Sequence, residues 1–402
     1  MANVSSSNGL EKRPKLRFPG FDEPYKQCRI GDIYAERSQR GASDMELLSV
    51  TMNDGVKPRS EIEGKDNSSE DKSNYKIVRK GDMVYNSMRM WQGANGISPC
   101  DGIVSPAYTV LMPKQELYNG YFAALFKSAN LINEFRKNSQ GMTSDTWNLK
   151  YPQIETIKIQ IPSVSEQDKV SELFGVLDAR IVAQAQLVES LKKYKRGLLR
   201  EIFAKLSESC ENRKLKDVSV LFADGDWIES KDQASDGIRL IQTGNVGFGM
   251  YLDKPQNAKY ISDDTFHRLN CLEIYAGDIL ISRLPEPAGR ACLLPKSTER
   301  RITAVDCTVI RTDASVIDRN YLLQFLCSEQ YLKTVNSFLA GGTRQRISRK
   351  NLEGIEVPYP SIDKQEYYGD FLCKVDTLVF NEEQRLSYIT RLRCFMLQRL
   401  FI

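Results

Sequence analysis

The chain repeats itself at a fixed distance, and this repeat restricts its possible folds more than any other feature. From Ile154 to Phe203 the sequence matches Leu352 to Phe401 without a gap, always 198 residues further along (352 − 154 = 198; 401 − 203 = 198). The segments IPSVSEQDKV and YPSIDKQEYY share a proline and a glutamine at the same spacing. A repeat of this length in 402 residues predicts two copies of one folding unit.

Upstream of Ile154 the two copies still match, but the offset between matching residues is no longer constant. Gly81 matches Gly277 at an offset of 196, and Tyr121 matches Tyr321 at an offset of 200 (277 − 81 = 196; 321 − 121 = 200). Strands and loops tolerate insertions. In a helix, one inserted residue would rotate every later side chain by about 100°. Each copy is therefore predicted to be a globular domain followed by a helix of fixed length.

The two fixed-length segments carry apolar residues at near-heptad spacing, which predicts two long helices. Residues 163–183 hold four acids and two bases, whereas residues 190–206 hold six bases and one acid. Antiparallel pairing is expected, because the acidic start of one helix then meets the basic end of the other. The apolar side chains on these helices that we expect to bind partners are Leu173, Leu177, Ile181, Leu191, Leu198, Phe371, Val375, Val379, Ile389 and Met396.

The remaining segments mix short strand patterns with helical patterns and turn residues, so the fold class is predicted as α/β (α+β). We expect two similar globular domains separated by two long helices that pair as an antiparallel coiled coil, giving a pseudo-twofold internal repeat. The predicted limits are a disordered tail at 1–14, a first domain at 15–162, a central helix at 163–210, a second domain at 211–360 and a C-terminal helix at 361–402.

Composition narrows the function classes. The polar N-terminus lacks the apolar core of a signal peptide, and no apolar run is long enough for a membrane helix, which predicts a cytoplasmic protein without a membrane partner. The nine cysteines form no C-x-x-C pair, and the single histidine, His267, lies in a polar context. Neither a metal site nor a histidine base is therefore expected. A net charge of +4 does not by itself indicate nucleic-acid binding.

Polar segments rich in glycine recur in both globular domains, at 85–96 and 139–147 in the first and at 241–249, 282–290 and 340–348 in the second. Arg, Asn, Gln, Ser and Thr are the side chains that read base edges and contact phosphates, and glycine lets the backbone approach a ligand closely. Their recurrence predicts two interfaces that read different sequences. The residues predicted to bind DNA are Asn86, Arg89, Gln92, Thr143, Ser144, Gln242, Thr243, Asn245, Arg283, Thr343, Arg344, Gln345 and Arg346.

Catalytic signatures are absent from the sequence. It contains neither a G-x-x-x-x-G-K-[ST] phosphate loop nor a G-x-G-x-x-G segment that opens a helix. The amino-methyltransferase motif NPPY does not occur, and EIEGK at 61–65 lies in a polar segment typical of a solvated loop. We therefore expect no catalytic residues in this chain.

The order domain, helix, domain, helix resembles the specificity subunit of type I restriction-modification systems over almost the whole chain. PSVSEQDKVSELFGVLD and LKKYKRGLLREIF are similar to that family's central region, and PKLRFPGF at 14–21 is similar to its entry into a first domain. The segment from GDWIESKD to GIRLIQTGNVG, within 225–247, is similar to the start of a common second domain. The C-terminal copy departs from the pattern, because Lys364 replaces Glu166 and Cys394 replaces Arg196.

This resemblance implies two target-recognition domains that each read one half of a bipartite site in double-stranded DNA. It implies helices that set the gap and dock two modification (methyltransferase) subunits, which carry S-adenosylmethionine and methylate adenine. Restriction (translocase/nuclease) subunits would complete the complex, with ATP and magnesium also on partner subunits and no cofactor in this chain. The alternatives are a specificity subunit of a methyltransferase-only or fused complex, a self-contained DNA enzyme, and a coiled-coil scaffold for protein interactions.

Overall fold

The chain folds into two compact units. The computed structural model describes residues 13–402 except 42, 43, 53, 54, 65, 67 and 340–344. The first unit comprises the described residues up to Ala185 together with Arg385–Ile402, and the second comprises Gln186–Gln384. The predicted tail at 1–14 lies outside the described residues except for Arg13 and Pro14. Among the helices of the described residues, none is both long and apolar enough to cross a membrane.

The described residues of the globular part of the first unit form ten strands and four short helices. The strands are β1 (Lys26–Arg29), β2 (Tyr34–Glu36), β3 (Leu48–Thr51), β4 (Gly55–Pro58), β5 (Lys76–Val78), β6 (Met83–Asn86), β7 (Asn95–Ile97), β8 (Gly102–Val104), β9 (Tyr108–Pro113) and β10 (Lys158–Ile161). The helices are α1 (Ile30–Ile33), α2 (Asn119–Leu125), α3 (Ala129–Asn138) and α4 (Tyr151–Ile154). The first long helix, α5 (Val164–Ser209), follows β10.

The second unit repeats this arrangement. Its strands are β11 (Asn212–Lys214), β12 (Leu221–Asp224), β13 (Ile238–Ile241), β14 (Lys259–Ile261), β15 (Glu273–Ile274), β16 (Ile279–Ser282), β17 (Ala291–Leu293), β18 (Arg301–Thr303), β19 (Cys307–Arg311) and β20 (Glu356–Pro358). Its short helices are α6 (Asp263–Leu269), α7 (Arg319–Leu326), α8 (Glu329–Ser337) and α9 (Arg349–Glu353), and the second long helix is α10 (Ile362–Arg399).

Each domain has its own central sheet, and the two sheets have the same strand order. In the first domain an antiparallel sheet has the order β2-β9-β6-β7, and in the second the order β12-β19-β16-β17 places equivalent strands in the same sequence. The pair β1-β10 likewise corresponds to β11-β20. The second domain adds a sheet of order β14-β13-β18-β15, in which β13 and β18 are parallel. The internal repeat and the mixed helix-and-sheet fold predicted from the sequence are therefore confirmed.

An aspartate after a glycine holds the same turn in each domain. Asp82 accepts hydrogen bonds from the guanidinium of Arg37, with Nε and Oδ2 2.7 Å apart, and Asp278 accepts from Arg311 with Nε and Oδ1 2.8 Å apart. Each pair is bidentate, which gives it strength and a defined geometry. The glycine before each aspartate has a φ of 90° or 95°, a conformation that other residues rarely adopt.

Within each unit, a segment of α5 and a segment of α10 run antiparallel. In the first unit Arg393 on α10 forms a bidentate ion pair with Asp178 on α5. In the second unit Lys195 on α5 pairs with Asp376 on α10. These are the same two positions of the repeat with the helices exchanged (393 − 195 = 198; 376 − 178 = 198). The predicted pairing of acidic starts with basic ends is thus confirmed.

The repeated glutamine fastens each long helix to its domain. Gln167 and Gln365 are almost completely buried. Each side-chain amide donates to the carbonyl of the proline five residues before it, at 3.1 Å and 2.8 Å respectively. Each also accepts a hydrogen bond, from the backbone N–H of Tyr118 in the first unit and of Asp318 in the second. Because Tyr118 precedes α2 and Asp318 precedes α7, the glutamine joins the helix start to the domain helices.

We expect Gln167→Ala to lower the free energy of unfolding by about 1–3 kcal/mol, because it leaves a buried carbonyl and a backbone N–H without their partner. Urea denaturation followed by circular dichroism measures the effect. Gln398→Ala is the matched control, since Gln398 is exposed on the long-helix segment of the same unit and should change stability by less than about 0.5 kcal/mol. Equal effects of the two substitutions would contradict an anchoring role for Gln167.

Candidate nucleic-acid interface

Two polar segments of the first domain meet at one surface. The rings of Trp91 and Trp147 pack edge to face with their centroids 5.2 Å apart. The backbone N–H of Leu149 donates to the carbonyl of Ser87 at 2.8 Å, which ties the second segment to the first. The guanidinium of Arg136 lies over the Trp91 ring, 5.5 Å from its centroid. The polar segments at 85–96 and 139–147, separate in sequence, therefore form a single candidate interface.

The predicted DNA-binding residues of the first domain lie on this surface. Arg89, Thr143 and Ser144 are exposed, and Asn86 and Gln92 are half-buried. Among the contacts of the described residues, the guanidinium of Arg89 has no acidic partner, so its charge is available to a ligand. Asn86 uses its side-chain oxygen to accept from the backbone N–H of the residue two positions later, at 3.0 Å. These placements are compatible with DNA contact, which stays a prediction.

In the second domain, Arg290 holds two loop segments together. Its Nε donates to the carbonyl of Val246 at 2.7 Å, and one Nη donates to that of Thr243 at 2.8 Å. The other Nη donates to the carbonyls of Leu284 and Pro287, at 2.9 Å and 3.0 Å. Burial lowers the pKa of Arg290, yet a guanidinium stays charged at neutral pH. One cation thus fixes the two polar segments at 241–249 and 282–290 relative to each other.

Asn245 and Arg283 are buried and act within the domain. Asn245 accepts from the backbone N–H of Gln242 at 3.0 Å and donates to the carbonyl of Leu252 at 2.9 Å. Arg283 donates to the carbonyl of Val305 at 2.6 Å and faces Asp224 across 3.3 Å. Burial also lowers the pKa of Arg283. Their placement argues against the predicted DNA contacts, because a side chain engaged inside the domain does not reach a base edge.

The other predicted residues of the second domain are on or near the surface. Gln242 and Thr243 are half-buried, and Gln345 and Arg346 are exposed. Arg346 also forms an ion pair across 3.3 Å with a partly exposed aspartate, Asp306. Two further predicted residues, which lie outside the described part of the chain, are Thr343 and Arg344.

Sequence patterns do not reveal the residues that bring the segments together. Arg290 and Trp147 lie inside the polar segments predicted above, but nothing in their spacing shows that they contact segments elsewhere in the chain. The only available signal was an arginine or an aromatic residue at the edge of a polar loop. Long-range contacts of this kind become visible only in the folded domain. No group of three or more His, Cys, Asp or Glu side chains among the described residues could hold a metal ion.

Five of the ten helix residues predicted to bind partners pack against the chain's own domains. Those that pack on the core of the first unit are Leu173, Leu177 and Met396. Those that pack on the core of the second unit are Leu198 and Phe371, and Val375 is also buried. The remaining four, which are half-buried, are Ile181, Leu191, Val379 and Ile389. The apolar stripe therefore serves mainly to dock the helices onto the domains, and partner contact by these residues is not favoured.

Replacing Arg290 with lysine should loosen the interface of the second domain without unfolding it. Lysine carries a single ammonium, which does not reproduce the planar guanidinium that donates to four carbonyls. We expect amide hydrogen exchange at 243–247 and 284–289 to accelerate by about tenfold or more, as measured by mass spectrometry. The control is Arg268→Lys, because Arg268 is largely exposed and bonds one carboxylate, that of Asp232. Unchanged exchange in Arg290→Lys would show that another contact holds these loops.

Comparison with known proteins matches this chain to one family. The sequence model described as the type I restriction modification DNA specificity domain matches residues 207–391. The type I restriction enzyme MjaVIII specificity subunit of Methanocaldococcus jannaschii is 24% identical over 324 residues, which is 75% of this chain and 74% of that protein. The putative MjaX specificity subunit of the same organism is 21% identical over 285 residues, which is 64% of this chain and 61% of that protein.

Solved structures show the same fold. The S subunit of a type I restriction-modification system from M. genitalium superimposes with a TM-score of 0.60 and 16% identity, over 97% of this chain and 99% of that one. A chain from a structure that describes complex assembly and conformational transition of the type I R-M system superimposes with a TM-score of 0.57 and 17% identity, over 95% and 98% of the two chains. The chain is thus similar to type I restriction-modification specificity subunits, in sequence over residues 207–391 and in fold over almost its whole length.

Proposed function

We propose that each of the two domains reads one half of a two-part site in double-stranded DNA, within a type I restriction-modification complex. The observation that carries this proposal is the duplication of one scaffold with different side chains at its interface. Both domains have the same central sheet order, but the loop between β6 and β7 carries Arg89 and Gln92, whereas the equivalent loop between β16 and β17 carries Glu286 and Arg290. Equivalent surfaces that offer different hydrogen-bonding groups suit two different base sequences.

The long helices suit the docking of two like partner subunits. Val182 on α5 and Phe380 on α10 are equivalent positions of the repeat (380 − 182 = 198), and their side chains are 47% and 45% exposed. Phe380 also lines an apolar cavity of about 650 Å³ in the second unit. Exposed apolar side chains at matching places are typical of protein–protein contacts. We infer that they contact modification subunits, and that the helices set the gap between the half-sites.

The chemistry of the complex would then lie on its partners. This chain would carry no catalytic site and no cofactor, while modification subunits with S-adenosylmethionine methylate adenine. Restriction subunits would supply ATP- and magnesium-dependent cleavage, and their presence separates a complete system from a methyltransferase-only complex. A cytoplasmic location remains a prediction from the sequence.

Exchange of one domain should change one half of the methylated site. We expect cells that hold this chain and its modification subunit to methylate adenines in a two-part motif, as mapped by single-molecule sequencing. Replacing residues 15–160 with the first domain of a related chain should alter one half of that motif and preserve the other half. The reciprocal control replaces residues 211–358 and should alter the opposite half. A change in both halves would show that the domains do not read independently, and absence of any two-part motif would refute the proposed function.

Charged substitutions at the two exposed helix positions should weaken subunit docking. Val182→Glu and Phe380→Glu each place a carboxylate where we infer apolar contact, so each should weaken assembly with one modification subunit by about 30-fold or more. Analytical ultracentrifugation of the mixed subunits measures the stoichiometry. The matched controls are Ala183→Glu and Asn381→Glu, which are exposed, mutually equivalent in the repeat and rotated by about 100° around the helix. If the controls weaken assembly as much as the test variants, the contact is not specific to this face.

A further inference from the structure

Trp227 lies outside the candidate interface described above, and its side chain is unusually exposed. Its side chain is 69% exposed, although the residues on either side of it are held in place. Asp226 forms a parallel β-bridge with Ala304 and accepts from the backbone N–H of Leu272 at 3.0 Å. Ile228 packs against the core around β13 and β18. A rigid base therefore presents the indole to solvent, and a large apolar group displayed in this way indicates a binding surface.

The indole borders a recess with polar and cationic walls. The recess has a volume of about 560 Å³, and the residues that line it besides Trp227 are Ile228, Glu229, Ser230, Lys231, Gln233, Gln242 and Lys259. Lysine ammonium groups bind phosphates, and glutamine amides bind base edges. The acidic residue, Glu229, is already engaged by Lys231 at 2.8 Å and by the indole Nε1 of Trp227 at 3.4 Å. The walls thus offer an aromatic face together with hydrogen-bond donors.

Backbone contacts join this recess to the candidate interface of the second domain. Gln242 lines the recess, and the next residue, Thr243, supplies a carbonyl to the guanidinium of Arg290. The backbone N–H of Ala304, which bridges to Asp226, donates to the carbonyl at the end of β13 at 2.9 Å. The recess and the loops held by Arg290 therefore lie at the same end of β13. A ligand bound to the loops held by Arg290 would therefore lie beside the indole of Trp227.

We propose that Trp227 packs its indole against a base or deoxyribose of the DNA at the half-site read by the second domain. Lys231 and Lys259 would contact phosphates, and Gln233 and Gln242 would face polar edges. Nucleic acid fits this recess better than a protein does, because the centres of protein interfaces are depleted in lysine. This assignment rests on the proposed function, since it requires that the second domain binds DNA. It makes Trp227 a DNA-contacting residue of the second domain.

The test measures the affinity of the assembled complex for a duplex that carries the methylated motif and for a duplex of unrelated sequence. Trp227→Ala should weaken binding to the motif by about tenfold to a hundredfold, the range for loss of one aromatic contact to a base. Binding to the unrelated duplex should change little, because it depends mainly on charge. Trp227→Phe should retain most of the affinity. Tyr275→Ala is the control, as Tyr275 is an exposed ring near the opposite end of β16 from the candidate loops.

A second measurement locates the contact directly. Duplexes with 5-iododeoxyuridine at single positions in the half-site should photo-crosslink to the peptide that contains Trp227. Full motif affinity of Trp227→Ala, with crosslinks only to other peptides, would overturn the assignment while leaving the proposed function intact. Weaker assembly of Trp227→Ala with modification subunits in the absence of DNA would also overturn it, by showing a protein contact. Failure of the unsubstituted complex to bind the motif would refute the proposed function itself.

Discussion

The architecture depends on a buried glutamine at the start of each long helix. A buried amide is stabilising only when both its donor and its acceptor find partners, and Gln167 and Gln365 achieve this in one arrangement of helix and domain. The other end of each helix is held by an aromatic contact. Phe401 packs on Tyr121 with ring centroids 5.4 Å apart, and the equivalent pair in the second unit, Phe203 and Tyr321, is 5.5 Å apart. A shift of helix register would break both contacts, which explains why the offset between the repeats does not vary here.

The globular domains combine a constant frame with a variable surface. The sheet order is the same in both, so equivalent strands present loops in the same way. The aspartate turn is also present in both, although its arginine follows β2 in the first domain and ends β19 in the second. The side chains on these loops differ. Gly93 and Gly289 have the same φ of 85°, but the residue that follows is a small Ala94 in one domain and the loop-bonding Arg290 in the other. One stable scaffold can thus carry two recognition surfaces without a change of fold.

Periodicity in the sequence predicts the helices and the repeat, but it does not single out the most deeply buried helix residues. The apolar stripe was placed on Leu173 and Leu198, whereas the neighbouring Phe174 and Leu199 are the more deeply buried residues. Each long helix packs against both a domain and the other helix, so two adjacent stripes are apolar and periodicity alone does not separate them. Polar loop residues raise a similar difficulty, because Arg283 supports its loop from inside and looks in sequence like a surface arginine.

The sequence by itself determined the duplication, the helix lengths and the pairing of acidic with basic helix ends, since these follow from local periodicity and charge order. It also predicted which polar segments form the candidate interfaces. Only the tertiary structure decided which of those polar side chains reach the surface and which segments lie together. That outcome depends on contacts between residues far apart in the chain, such as Arg290 with Thr243, and no local pattern encodes them. The exposure of Trp227 has the same origin, because the packing of its neighbours leaves the indole outside the core.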